Sequence, residues 1–154
     1  MSDGAAPPNN VRTGLWWRWL IVVTAGVALG GLAMAAAPGP TRAAFGLLVY
    51  ASPSAIDRFG PEAVHYIDVT HGVLGAVMAG WGVAMLLVLF GPFRRGSREA
   101  WWAIAAPVAV WFVADTAMSL AHGVWQNAVL NTAVAVLYAV PLAATRRAGR
   151  EPAG

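Results

Sequence analysis

The charges of this chain are gathered into short segments, and the uncharged stretches between them are long enough to cross a bilayer. Residues 19–41, between Arg18 and Arg42, are 23 in a row without Asp, Glu, Lys or Arg. Residues 69–93, between Asp68 and Arg94, are 25 more. Residues 100–145 are 46 with a single charge, Asp115. An α-helix spans hydrocarbon about 30 Å thick with about 20 residues. The first two stretches are therefore one span each. The third would be about 69 Å long as one helix and must fold back. His122-Gly123 is the breaker near its middle. The expectation is an all-α, four-helix transmembrane bundle with spans near 15–37, 66–91, 101–121 and 126–144. Residues 1–14 read as a disordered tail and 146–154 as a basic C-terminal tail.

Composition closes off the alternatives. Hydrophobic residues make up 58% and charged residues 11%, too little polar surface for an ordinary soluble domain. With no cysteine there is no disulfide scaffold, thiolate zinc site or iron–sulfur cluster. The sequence holds no Gly-rich phosphate loop and no nucleophile elbow.

All ten basic residues are arginine. Eight of them precede the first span, separate the second from the third, or follow the fourth. Only Arg42 and Arg58 fall on the other side. The positive-inside rule then places both termini in the cytoplasm. Trp16, Trp17, Trp19, Trp101 and Trp102 mark the same boundary as an aromatic belt. Topology thus explains the pI near 10.2, and no nucleic-acid partner is expected. The Arg- and Ala-rich composition without lysine points to a GC-rich bacterial genome, hence to a bacterial plasma membrane. A competing reading makes span 1 a signal peptide cleaved after Ala35-Ala36-Ala37. Its apolar run exceeds the usual length of about 7–15 residues, and Pro38 would follow the cut.

Trp16-Trp17 and Trp101-Trp102 open spans 1 and 3, and His71-Gly72-Val73 and His122-Gly123-Val124 open spans 2 and 4. Two repeated helical hairpins account for this, and so does coincidence in so apolar a chain. Gly26 and Gly30 in span 1, and Gly72, Ala76, Gly80 and Ala84 in span 2, recur at intervals of four. Such small residues let helix backbones approach closely in lipid. They are expected in internal helix packing, with a dimer face as the alternative. Pro107 is expected to kink span 3. The outer loop over 38–61 should hold a short helix capped by Thr41 over 43–51, a turn over 53–59, and a helix start at Pro61.

Asp115 is the one acid within the long stretches that form the spans. A carboxylate there costs on the order of 2.5–3.5 kcal/mol, so it should face the interior and be paired. Ser119 and His122 follow it at i+4 and i+7 on one helical face, and Asn127 and Asn131 present one face of span 4 at similar depth. These residues are the candidates for ligand or proton handling, together with His71. Glu62-x-x-His65 and Asp68-x-x-His71 lie on one helix and drift around it, so they do not form a di-iron set. His71 and His122 fall at matching depth and are the candidate ligands for a haem or a divalent metal.

The layout resembles the DoxX-like group of small bacterial four-helix membrane proteins. The shared features are four short spans, a long first outer loop ending in Phe59-Gly60-Pro61, and a Gly-rich second span with His71-Gly72. The resemblance implies the fold and carries no functional residues over. The functional expectation is a membrane protein without an enzymatic motif, an accessory or partner-binding subunit in the lipid bilayer or a homo-oligomer. The alternative is a haem- or metal-dependent redox or transport protein using the His/Asp cluster.

Overall fold

The computed structural model describes residues 10–148, with side chains described from residue 14 to residue 146. Helix α1 runs over Asn10–Ala36, α2 over Pro38–Tyr50, α3 over Pro61–Val88, α4 over Arg98–Ala121 and α5 over Trp125–Ala148. A 3-10 turn at Ile56–Arg58 follows α2. Four of these helices, all but α2, are long and apolar enough to cross a membrane. Among the described residues there is no strand.

The breaks follow from local chemistry. Pro38 stands at the first turn of α2 and Pro61 at the first turn of α3, where a missing N–H costs nothing. The Ser97 side chain accepts from the Ala100 amide at 3.2 Å and caps α4. Gly123 adopts φ +73° between α4 and α5, a conformation that a Cβ would oppose. Gly91-Pro92 does not simply stop α3. The chain passes through a π-helical turn over Leu89–Phe93, with Gly91 out of helical geometry. Thr41 does not cap a helix either. It is buried inside α2, and its hydroxyl donates to the Ala37 carbonyl at 2.9 Å. The helices also reach past the expected span ends. Residues 10–14 of the expected N-terminal tail and 146–148 of the C-terminal tail are helical. Residues 1–9 and 149–154 lie outside the described residues.

The largest helix interfaces are α1 with α3 and α4 with α5, so the chain folds as two hairpins, joined mainly by α1 against α5. The hairpins close alike. The Trp17 indole on α1 donates to the Leu89 carbonyl at 2.8 Å, and Arg94 lies 5.1 Å from the Trp17 ring. The Trp101 indole on α4 donates to the Leu142 carbonyl at 2.8 Å, and Arg146 lies 5.3 Å from the Trp101 ring. These correspondences join the arginine-bearing ends of both hairpins, called here the arginine end. The HGV pair does not correspond in this way. His71-Gly72 lies within α3, whereas His122-Gly123 forms the turn between α4 and α5. A third indole bond has a local cause. Pro141 leaves the Leu137 carbonyl of α5 without its helical donor, and the Trp19 indole supplies one at 3.0 Å.

The interior is divided. Toward the arginine end it is apolar, built from Leu20, Met85, Leu89, Ile104, Val108 and Leu142. The buried polar side chains Ser119 and Asn131 lie nearer the end where α2 sits, here the α2 end, and Thr24 lies at mid-depth.

The α1–α3 contact corrects the expected packing residues. A Cβ placed on Gly31 would stand 2.5 Å from the Gly75 carbonyl oxygen, and one on Gly75 would stand 2.5 Å from the Gly31 oxygen. One on Gly82 would meet the Ala28 Cβ at 2.8 Å. Only glycine permits this approach. Positions 26, 30, 72 and 80 have no neighbour within 4 Å of such a Cβ. Gly26, Gly80, Ala76 and Ala84 are exposed on the outside of the bundle. The four-residue ribbon of α3 therefore faces outward, and Gly75, Ala79 and Gly82 face α1.

Candidate functional site

Two polar clusters start at the α2 end, and the first extends to mid-depth. The first joins α4 to α5. Asp115 is set by the α4 register so that its carboxylate faces Asn127 of α5. The Asn127 side-chain amide donates to the Ser119 hydroxyl oxygen at 2.8 Å and to Asp115 Oδ1 at 3.2 Å. The Ser119 hydroxyl donates to the Asp115 main-chain carbonyl at 2.7 Å and stands 3.4 Å from Asp115 Oδ1. One turn further from the α4–α5 turn, Asn131 reaches Thr116 Oγ1 at 3.4 Å. Two turns beyond that, the buried Tyr138 hydroxyl donates to Thr24 Oγ1 at 3.1 Å and ties α5 to α1. The cluster thus forms rungs that lock three helices together. An apolar environment strengthens each rung and makes an unpaired member costly.

The second cluster holds α2 to α3. Arg42 of α2 donates through Nε to Asp57 at 3.0 Å and through a terminal nitrogen to Asp68 of α3 at 2.5 Å. The two carboxylates, Asp68 above all, hold the guanidinium still more firmly protonated than a free arginine. The Phe45 ring of α2 stacks on His71 of α3, with centroids 4.2 Å apart and planes at 26°. Asp68 Oδ1 and His71 Nδ1 are buried with no hydrogen-bond partner.

Of the six sequence candidates, Asp115, Ser119 and Asn127 come together as expected, and Asn131 bonds α4 one turn away. His122 does not join them. It is exposed, and its Nδ1 donates to the Met118 carbonyl at 2.9 Å, ending its own helix. His71 belongs to the other cluster, under α2. The two histidines thus have different neighbours, which gives a jointly held haem or metal no support. Among the described residues no three His, Asp or Glu side chains are grouped to hold a metal ion. No local pattern in the sequence marks the Arg42 clasp. Arg42 stands 15 and 26 residues from its two acids, and only the return of the chain along α3 brings them together. The available signal was a single arginine within a loop that also carries Asp57 and leads to Asp68.

Comparison with family models, with curated proteins and with solved structures finds no match for this chain.

Proposed function

We propose that this chain is a multi-pass plasma-membrane protein of a bacterium, with both termini cytoplasmic, acting as an accessory subunit that binds a membrane partner through α3. The observation that carries the proposal is the direction of the α3 ribbon. Ala76, Gly80 and Ala84 point away from the bundle, and the Gly72 and Gly80 positions have open space beside them. In lipid, a row of small residues offers a partner helix close backbone contact where apolarity alone gives no drive. The polar side chains support the same reading. Those of α4 and α5 bond one another and serve helix packing, and Arg42, Asp57 and Asp68 hold α2 in place. The orientation rests on charge. Arg94 and Arg146 stack on tryptophans at one end, while Arg42 at the other end is neutralised by two acids. Kinship with the DoxX-like group is part of the same proposal and rests on layout.

Gly80→Leu tests the partner face. In extracts made with mild detergent from cells expressing the natural chain, the parent should run as a complex heavier than its 16.1 kDa monomer. Gly80→Leu should shift it to monomer mass, while the melting temperature of the chain purified without its partner is the same in variant and parent. A parent that runs as a monomer, or a variant complex of undiminished mass, would overturn the assignment.

A further inference from the structure

A groove of about 730 Å³ runs along the outside of the bundle between α4 and α5, open along one side. It takes no part in either polar cluster or in the α3 ribbon. Small side chains create it: Ala105 and Ala109 on α4, and Ala135, Ala139 and Ala143 on α5. Phe112 and Thr132 stand at its deep end, and Trp101 and Arg146 at its mouth. From Trp101 to Phe112 the helix rises about 17 Å, close to half of a hydrocarbon core of about 30 Å. The groove therefore has the length of one leaflet.

Its mouth is cationic and fixed. The Arg146 guanidinium lies 5.3 Å from the Trp101 ring and 5.9 Å from the Trp102 ring. Stacking on two indoles holds the charge at the depth of the aromatic belt. Among the described residues, Arg146 has no carboxylate partner; the ion pairs there are those of Arg42. An apolar channel one leaflet long, ending in a positioned arginine, matches the two parts of an anionic phospholipid. Basic pockets between spans are a known form of headgroup site. We propose that the α4–α5 groove holds an acyl chain of an anionic phospholipid whose phosphate is bound by Arg146. A passing helix would fill the groove without using the charge at its mouth.

The test is native mass spectrometry of the full chain released from bilayers of equal phosphatidylglycerol and phosphatidylcholine. The parent should retain phosphatidylglycerol in preference. Arg146→Gln, at an exposed position and compared at matched melting temperature, should lower the retained phosphatidylglycerol-to-phosphatidylcholine ratio about fivefold, the effect of one arginine beside an anionic surface. Ala139→Phe fills the groove and should reduce retention of both lipids. Arg95→Gln, in the same basic region but away from the groove, should change nothing. An unchanged ratio in Arg146→Gln would overturn the proposal. So would an equal loss in Arg95→Gln, which would mean diffuse surface attraction. Undiminished lipid in a correctly melting Ala139→Phe, or a parent that leaves the bilayer as a lipid-free dimer, would overturn it as well.

Discussion

Gly75→Leu lowers the melting temperature of the detergent-solubilised protein by on the order of 10 °C, while Gly80→Leu, five residues along the same helix, leaves it within a degree or two. The difference follows from what each new side chain meets. At Gly75 even a Cβ stands 2.5 Å from the Gly31 carbonyl oxygen and 2.8 Å from the Ala35 amide nitrogen. These are backbone atoms, and they cannot turn aside as a flexible side chain would. The α1–α3 pair, the largest interface of the fold, must separate. Overpacking of this kind costs about 1–3 kcal/mol and sometimes more. The gain in helix propensity on replacing glycine, about 1 kcal/mol at most, does not offset it. At Gly80 nothing lies within 4 Å, so leucine points into lipid or detergent. Equal melting temperatures for the two variants would show that α3 is rotated from the orientation described here.

Asn127→Leu is expected to destabilise the protein by about 1–3 kcal/mol, because it strips the Asp115 carboxylate of its cross-helix donor in an apolar setting. The lost bonds are those at 3.2 Å to Asp115 and 2.8 Å to Ser119. Asp115→Asn alone should be nearly silent, since the amide oxygen still accepts from Asn127 and no charge remains to be compensated. The informative variant is the double one. If the penalty of Asn127→Leu arises from an uncompensated carboxylate, most of it vanishes in the Asp115→Asn background, and the double-mutant cycle shows a coupling of about 1 kcal/mol or more. Additive effects would mean that Asn127 stabilises through Ser119 alone. A complementation assay separates structure from chemistry. Asp115→Asn complements fully if the residue only joins helices. It fails, with stability intact, if the residue must ionise.

Charge placement made the four long helices legible, because a bilayer forbids charges over lengths of about 20 residues regardless of what packs inside. The turn at His122-Gly123 and the start of α3 at Pro61 were readable from turn and cap chemistry. So was the pairing of Asp115 with Ser119 and Asn127, since an acid at that depth demands partners and few were at hand. The facing of α3 was not readable. In water a helix marks its inner face by being apolar there; in lipid the outside is as apolar as the core, and that contrast is lost. Small residues then lie on both faces of α3. The ribbon of fours from Gly72 to Ala84 is the more regular pattern, while the less regular set Gly75, Ala79 and Gly82 makes the contact. The Arg42 clasp, the stacking of Phe45 on His71 and the tryptophan bonds to Leu89, Leu137 and Leu142 are long-range. They depend on where α2 and the helix ends come to rest, which no local pattern encodes.

The outward ribbon and the lipid groove both require the four long helices to cross a membrane, and the proposed orientation puts the arginine end in the cytoplasm. Reporter fusions along the chain test that most directly. Fusions after Arg95 and after Arg147 are predicted to read cytoplasmic, and one inserted within residues 52–60 to read external. An external signal after Arg95, or the same side for the 52–60 insertion and the Arg95 fusion, would contradict the four-span arrangement.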